Sequence, residues 1–336
     1  MKQLPVTSDN FKYIEQSFRQ WLDILGYAAQ TVYFLPNTLR EFFHWLEQRS
    51  INNIKQIQPE HIKAYYNHTK QRSNTRFDGG LSNGSINNQR RMLYLFTDYL
   101  RQTGRFEIPY IKLISLKDRK EKLNTLTIDE IKQVFEATHL PDGSNWDNEI
   151  AIRDRAILSI NYGCGLRRNE ARSLDLEDIN LDKGIVHVRK GKGNKERFVP
   201  INKNNITYLE DYIYNARPQL LESRHSPTRT PREKTHEPAF FISIRSQRIN
   251  AMSLNNRIRT LVQKTKNPVI IEKNPTLHTL RHSIATHLLQ NGMKLESIAK
   301  FLGHSSLEST QVYTHLMEPE AWTQQKPNCK NLQSTW

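Results

Sequence analysis

LHTLRHSIATHLLQNG (277–292), followed after residues 293–301 by LGHSSLESTQVYTH (302–315), is the stretch on which the reading of this chain turns. On a helix His278 and Arg281 lie three apart and share a face, so both can reach one phosphate. Gly303 suits the end of a helix, and Ser305 with Glu308 makes a capping-box pattern that starts another. His304 then falls in the tight turn between the two helices, with Tyr313 about two turns further on. Each piece has a plainer reading. An isolated His-x-x-Arg is usually a surface pair, and a tyrosine in a late helix is usually core. His278 and His282, four apart, resemble half of a metal site, but no Glu follows His278 and no third ligand is evident.

Upstream, two segments carry related chemistry. GCGLRRNE (163–170) is a glycine-rich turn feeding a helix, which holds Arg167 near a helix N-terminus where backbone N–H groups favour an anion. GIVHVR (184–189) and RFVPI (197–201) read as the strands of a hairpin across GKGN (191–194). Lys192 sits at its Gly-Lys-Gly tip, which can come close to a bound backbone.

The remainder reads as helices. Phe11, Ile14, Phe18, Trp21, Leu22 and Leu25 form one stripe ending near Gly26. Leu39, Phe42, Phe43 and Leu46 form a second, with Pro36 expected at its first turn or at a kink. A third helix starts at Pro59 and runs through His61–Tyr66. A fourth follows the turn at Ser82–Ser85, carries Ile86, Leu93, Phe96 and Leu100 on one face, and stops near Gly104. These aromatic stripes are core by default. IKLISLKDRKEKLN (111–124) is basic and lacks helical periodicity, so it reads as a linker. Thr127 and Glu130 form a capping box that opens a second domain, with Ile131, Val134 and Phe135 as its stripe. Residues 222–238, rich in Pro, Ser, Thr and charge, read as a surface loop. The predicted division is a helical domain at 1–110, a linker at 111–124, a second domain at 125–317 and a tail at 318–336. The fold class is mainly α with a small β-sheet or hairpin.

Composition narrows the function. The 336 residues are 37% hydrophobic and 25% charged, as in a folded domain protein. No stretch approaches the roughly 20 apolar residues of a membrane span, and the N-terminus lacks the apolar region of a secretory signal, so no membrane partner and a cytoplasmic location are expected. Cys164 and Cys329 are too far apart for a disulfide framework or a Cys-based zinc site; Cys164 reads as a small buried residue. The net charge is +15. Residues 1–123 hold 19 Lys+Arg against 11 Asp+Glu, and the remainder 30 against 23, so both halves are basic. That excludes a neutral body with one basic tail and points to nucleic acid touched by two modules. Lys63, Arg90, Arg91, Lys190, Lys195 and Arg197 are the candidate DNA contacts, most of them to phosphates.

Taken in order, Arg167, Lys192, His278, Arg281, His304 and Tyr313 resemble the site of the tyrosine recombinase (phage integrase) family. LRRNEARSLDLEDIN, GKGNKERFVPI and the two stretches quoted first are most similar to its Xer-like and transposon-borne branches. The resemblance spans nearly the whole chain. It departs at Cys164, where many relatives have Thr, and in the longer loop at 222–238. No extra arm-binding domain is evident ahead of the four helices.

The resemblance implies a two-domain DNA clamp, with a four-helix core-binding (SAM-like) domain and a catalytic domain. It implies a site-specific recombinase serving integration, excision, transposition or dimer resolution. Tyr313 would be the nucleophile, Arg167 and Arg281 the phosphate clamp, Lys192 the general acid and His278 the proton-transfer residue. His304 would hydrogen-bond the phosphate, and Glu170 would orient Arg167 or His278. The types suit the task. A phenol with a reference pKa of about 10 needs a base or a positive field. Planar guanidinium forks stay charged and donate paired hydrogen bonds to phosphate. No cofactor is implied, neither metal nor ATP, because the phosphodiester energy stays in a 3′-phosphotyrosyl bond. The implied partners are double-stranded DNA with specific sites, a homotetramer in the synapse with the tail (Trp322 as anchor) docking on a neighbour, and accessory proteins in some systems. The competing readings are a type IB-like topoisomerase and a catalytically silent DNA-binding regulator.

Overall fold

Ser8 and Ser82 each accept a backbone N–H three residues on, and so start the first and fourth helices of the N-terminal unit. The computed structural model describes residues 4–74, 78–104, 106, 108–117, 124–139, 147–189, 196–222, 237–304 and 310. The chain divides into two units, Met1–Glu121 and Lys122–Trp336. Among the described residues of the first, the α-helices are α1 (Asp9–Ile24), α2 (Ala29–Glu47), α3 (Pro59–Gln71) and α4 (Asn83–Gln102). Their stripes meet in an aromatic core in which Phe11 stacks on Phe43 at 4.3 Å and Phe18 meets Phe96 edge-on. Gly26 and Gly104 follow α1 and α4 with φ of +71° and +62°, a conformation costly for other residues. Two details differ from expectation. Leu25 lies past the end of α1 and is exposed. Pro36 is buried inside α2, which starts seven residues ahead of it, so of its two expected places the first turn is the one that fails.

Residues 111–117, expected as linker, lie against α3 and α4. Ile111 and Leu113 are buried in the first unit's core. The Leu113 N–H donates to the Tyr94 hydroxyl at 2.7 Å, and Asn87 donates to the Leu116 carbonyl at 2.7 Å. The chain alternates Ile-Lys-Leu-Ile here, a period-two signal that a helical template passes over.

The second unit opens as the capping box predicts: Glu130 N–H donates to Thr127 Oγ1 at 3.2 Å, and Thr127 N–H to Glu130 Oε2 at 2.7 Å. Among its described residues the α-helices are α5 (Ile128–Glu136), α6 (Asp147–Leu158), α7 (Arg168–Ser173), α8 (Lys203–Asp211), α9 (Arg217–Glu222), α10 (Ala251–Lys264), α11 (Pro268–Lys273), α12 (Leu277–Gln290) and α13 (Leu295–Leu302). The hairpin strands are β2 (Ile185–Val188) and β3 (Arg197–Pro200), paired antiparallel with Val186 opposite Val199. A short β1 (Ile179–Asn180) joins the far edge of β2. Val186, Val188 and Val199 point into a core shared with Ile157, Tyr212, Phe240, Leu254 and Leu280. Cys164 is fully buried there, and burial pushes its thiol up to about 12, so it is an inert packing group. Most of the predicted surface loop, 223–236, lies outside the described residues, as do Cys329 and the tail.

Candidate active site

Thr276 caps α12 by accepting the Thr279 N–H, and Leu277, Leu280 and Ala285 anchor the helix in the core. Arg281 leaves the same helix yet is only 1% exposed. It donates from Nη1 to the Gly165 carbonyl and from Nη2 to the Leu302 carbonyl, both at 2.6 Å. One residue therefore fastens the glycine turn before α7 to the end of α13. The turn depends on Gly165, whose φ is +60°; a Cβ there would come within 2.9 Å of Leu302 Cδ2.

Arg167 immediately precedes α7. Its Nη1 donates to Glu170 Oε1 at 2.7 Å, its Nη2 to the Gly303 carbonyl at 2.9 Å, and its N–H to Glu170 Oε2 at 2.9 Å. The first amide of this turn, expected to favour a bound anion, is thus occupied by the protein's own carboxylate. Arg197, from β3, grips the same carboxylate with both Nη atoms at 3.1 and 2.8 Å and sends Nε to the Phe301 carbonyl at 3.3 Å. The last carbonyls of α13 and its cap, at Phe301, Leu302 and Gly303, thereby meet three arginines. A helix C-terminus favours this, since those carbonyls lack intrahelical partners and carry negative partial charge. Glu170 is buried beneath them. Burial would raise its pKa, but the Arg197 and Arg167 guanidiniums outweigh that and hold the carboxyl at about 2.

Gly303 ends α13 in the left-handed conformation, φ +67°, as the sequence predicts. His304 follows, its N–H donating to the Ala299 carbonyl at 2.9 Å and its Nδ1 lying 2.8 Å from Thr310 Oγ1. His278 reaches the surface. Desolvation of its inner side, then the charges of Arg281 and Arg167, lower its pKa, so at neutral pH the ring is uncharged and can accept a proton. Its ring meets that of His282 edge-on at 4.3 Å. Burial first, then His278, Arg281 and His304, bring His282 down to about 4.

The structure brings together Arg167, Glu170, His278, Arg281 and His304. Lys192 and Tyr313 lie outside the described residues, as do Lys190 and Lys195. Of the other candidate DNA contacts, Lys63 and Arg91 are exposed. Arg90 instead stacks on Tyr94 and donates to the Leu113 carbonyl. Arg197 is likewise turned inward. Strand periodicity could have revealed this, because Arg197 shares a face of β3 with buried Val199, while Phe198 between them is exposed.

Paired guanidiniums beside uncharged imidazoles, at the meeting of a glycine turn and a helix end, are an arrangement suited to phosphoryl chemistry. Comparison with known proteins agrees. Residues 124–320 match the model of the phage integrase family. The tyrosine recombinase XerD of Staphylococcus epidermidis is 31% identical over 296 residues, 88% of this chain and 90% of that protein. The tyrosine recombinase XerC of Oceanobacillus iheyensis is 30% identical over 327 residues, 96% of this chain and 98% of that protein. Among solved structures, the XerH site-specific recombinase in its pre-cleavage complex with difH substrate gives a TM-score of 0.63 at 21% identity, covering 90% of this chain and 81% of that one. The Tn1549 transposon integrase in complex with circular intermediate DNA gives 0.60 at 19% identity, covering 89% and 94%. These two solved structures share its fold. The chain belongs to the phage integrase family, the tyrosine recombinases. It is an enzyme of DNA cleavage and rejoining, and neither the topoisomerase nor the silent-regulator reading is favoured.

Proposed function

We propose that the phenol oxygen of Tyr313 attacks a DNA phosphorus and that the P–O5′ bond breaks, leaving a 3′-phosphotyrosyl link and a free 5′-hydroxyl. Uncharged His278 takes the phenolic proton, and Lys192 gives one to the departing 5′-oxygen. Arg167 and Arg281 supply the positive field for the phosphate. Arg281 acts chiefly as a fixed buried charge, since two of its donors close on backbone carbonyls. His304 hydrogen-bonds a phosphoryl oxygen, and Glu170 holds Arg167. A 5′-hydroxyl from a second duplex reverses the step, so the exchange needs neither ATP nor a metal. The observation that supports these roles is the convergence of Arg167 and Arg281 on the end of α13, just ahead of the His304 turn, with Glu170 bound to Arg167 and His278 close enough to feel both guanidiniums.

The wider assembly follows the same reading. The protein acts in the cytoplasm on duplex DNA carrying specific sites, with both basic units touching DNA and with Lys63 and Arg91 reaching phosphates. Among the described residues no helix is long and apolar enough to cross a membrane. Four copies assemble on two sites, with accessory proteins where the site requires them. A groove of about 650 Å³ in the second unit, lined by Phe135, Tyr162, Leu288, Met293 and Phe301, receives residues 318–336 of a neighbouring copy, with Trp322 as the anchor. An apolar groove of that size suits an indole.

The test is covalent trapping on a library of nicked genomic fragments from the source organism. A nick lets the short leaving strand diffuse away, so the protein–DNA adduct accumulates and survives detergent. Wild-type protein is expected to form adducts, and Tyr313→Phe to bind the same DNA without forming any. An adduct from Tyr313→Phe sinks the assignment of the nucleophile.

A further inference from the structure

Arg197 fits poorly as a DNA contact. Its side chain is only 11% exposed, and its three guanidinium nitrogens are directed at Glu170 and at the Phe301 carbonyl. Its stem is packed so closely on Gly303 that a Cβ there would come within 2.9 Å of its Cδ.

The carboxylate it holds is shared. Glu170 faces Arg167 on one side and Arg197 on the other, with Arg281 Nη1 3.9 Å away. Without Arg197, Glu170 would be free to close fully on Arg167 and cancel the charge that Arg167 offers a phosphate. The Phe301 carbonyl would lose its guanidinium donor at the same time, just ahead of the His304 turn. Arg197 also begins β3, five residues after Lys192 in the chain.

We propose that Arg197 is a positioning residue of the recombinase site: by engaging Glu170 and the end of α13 together, it sets Arg167 and His304 for the phosphate without touching DNA itself. The proposal rests on the roles given above to Arg167 and Tyr313. A lysine cannot replace it, because one ammonium cannot meet both carboxylate oxygens and the carbonyl in fixed geometry.

The experiment uses the full chain and the nicked duplex that the wild-type protein traps. For Arg197→Gln and Arg197→Lys, it measures the single-turnover rate of adduct formation at saturating protein, and DNA affinity across a range of salt. The rate is expected to fall by about tenfold or more in Arg197→Gln, with affinity within about twofold and the slope of log affinity against log salt unchanged. Arg197→Lys should stay well below wild type in rate. Adding Glu170→Gln to Arg197→Gln should cost less than the two separate changes combined, since they share the Arg197–Glu170 contact. A salt slope reduced by about 1 with an unchanged saturated rate would make Arg197 a phosphate contact and overturn the proposal. So would a wild-type saturated rate in a folded variant. If Arg197→Gln does not fold, Arg197→Lys, which keeps the charge and the stem, is read by the same criteria. Tyr313→Phe runs alongside: an adduct from it overturns the underlying mechanism, whereas adducts lost there and undiminished in the Arg197 variants overturn only this proposal.

Discussion

Burial alone would push the Glu170 carboxyl up, and the sign is reversed only because Arg197 and Arg167 both bind it. Its folded pKa, about 2, lies below the ordinary 4.5. The stability it contributes is therefore present above pH 4.5 and is lost as pH falls towards 2. Glu170→Gln is expected to lower stability at neutral pH by about 3 kcal/mol, the cost of stranding a buried pair's partners. The same variant should flatten the acid-unfolding limb between those two pH values. Denaturant titrations at a series of pH values check both, and an unchanged acid limb would show that the carboxylate is not held as described. His278 and Arg281 were legible as a pair because helical spacing is local. That Arg281 would be buried was not: its acceptors, the Gly165 and Leu302 carbonyls, lie 116 and 21 residues away, and nothing in His-x-x-Arg encodes them.

At the scale of elements, the end of α13 was readable because Gly303 marks it, but what covers that end was not. Gly303→Ala tests the packing. The substitution strains a left-handed residue by roughly 1 kcal/mol and drives a methyl into the Arg197 stem, whose head is pinned and cannot swing away freely. The variant should therefore be less stable and form adducts slowly, as expected for Arg197→Gln. Wild-type adduct kinetics in Gly303→Ala would show that this close approach does not matter. The strap at 111–117 shows the opposite limit of sequence reading. Its charges suggest a linker, yet alternate side chains, Ile111 and Leu113, are core. Arg90 reads as a DNA contact by its charge alone, but it holds this strap through the Leu113 carbonyl.

On the scale of the whole molecule, the mainly helical fold with one small sheet was legible from periodicity and from a handful of Gly, Pro and capping residues. The two-residue edge strand β1 was too short to signal itself. The assembly reading makes its own prediction. Deleting residues 318–336 should leave single-site DNA binding near wild type while abolishing the pairing of two sites, as seen by native gel shift. Intact pairing and recombination after the deletion would end the role given to the tail.

The three arginines at the end of α13 come from widely separated parts of the chain: Arg167 meets a carbonyl 136 residues on, Arg197 one 104 residues on, and Arg281 one 21 residues on. Contacts of such long sequence separation form late, because the intervening chain must be ordered before they are rewarded. A nascent chain on the ribosome that has not yet released residue 303 possesses the guanidiniums but not the helix end they close upon. A chain cut short before residue 303 is therefore expected to hold its three guanidiniums apart, with no helix end to gather them.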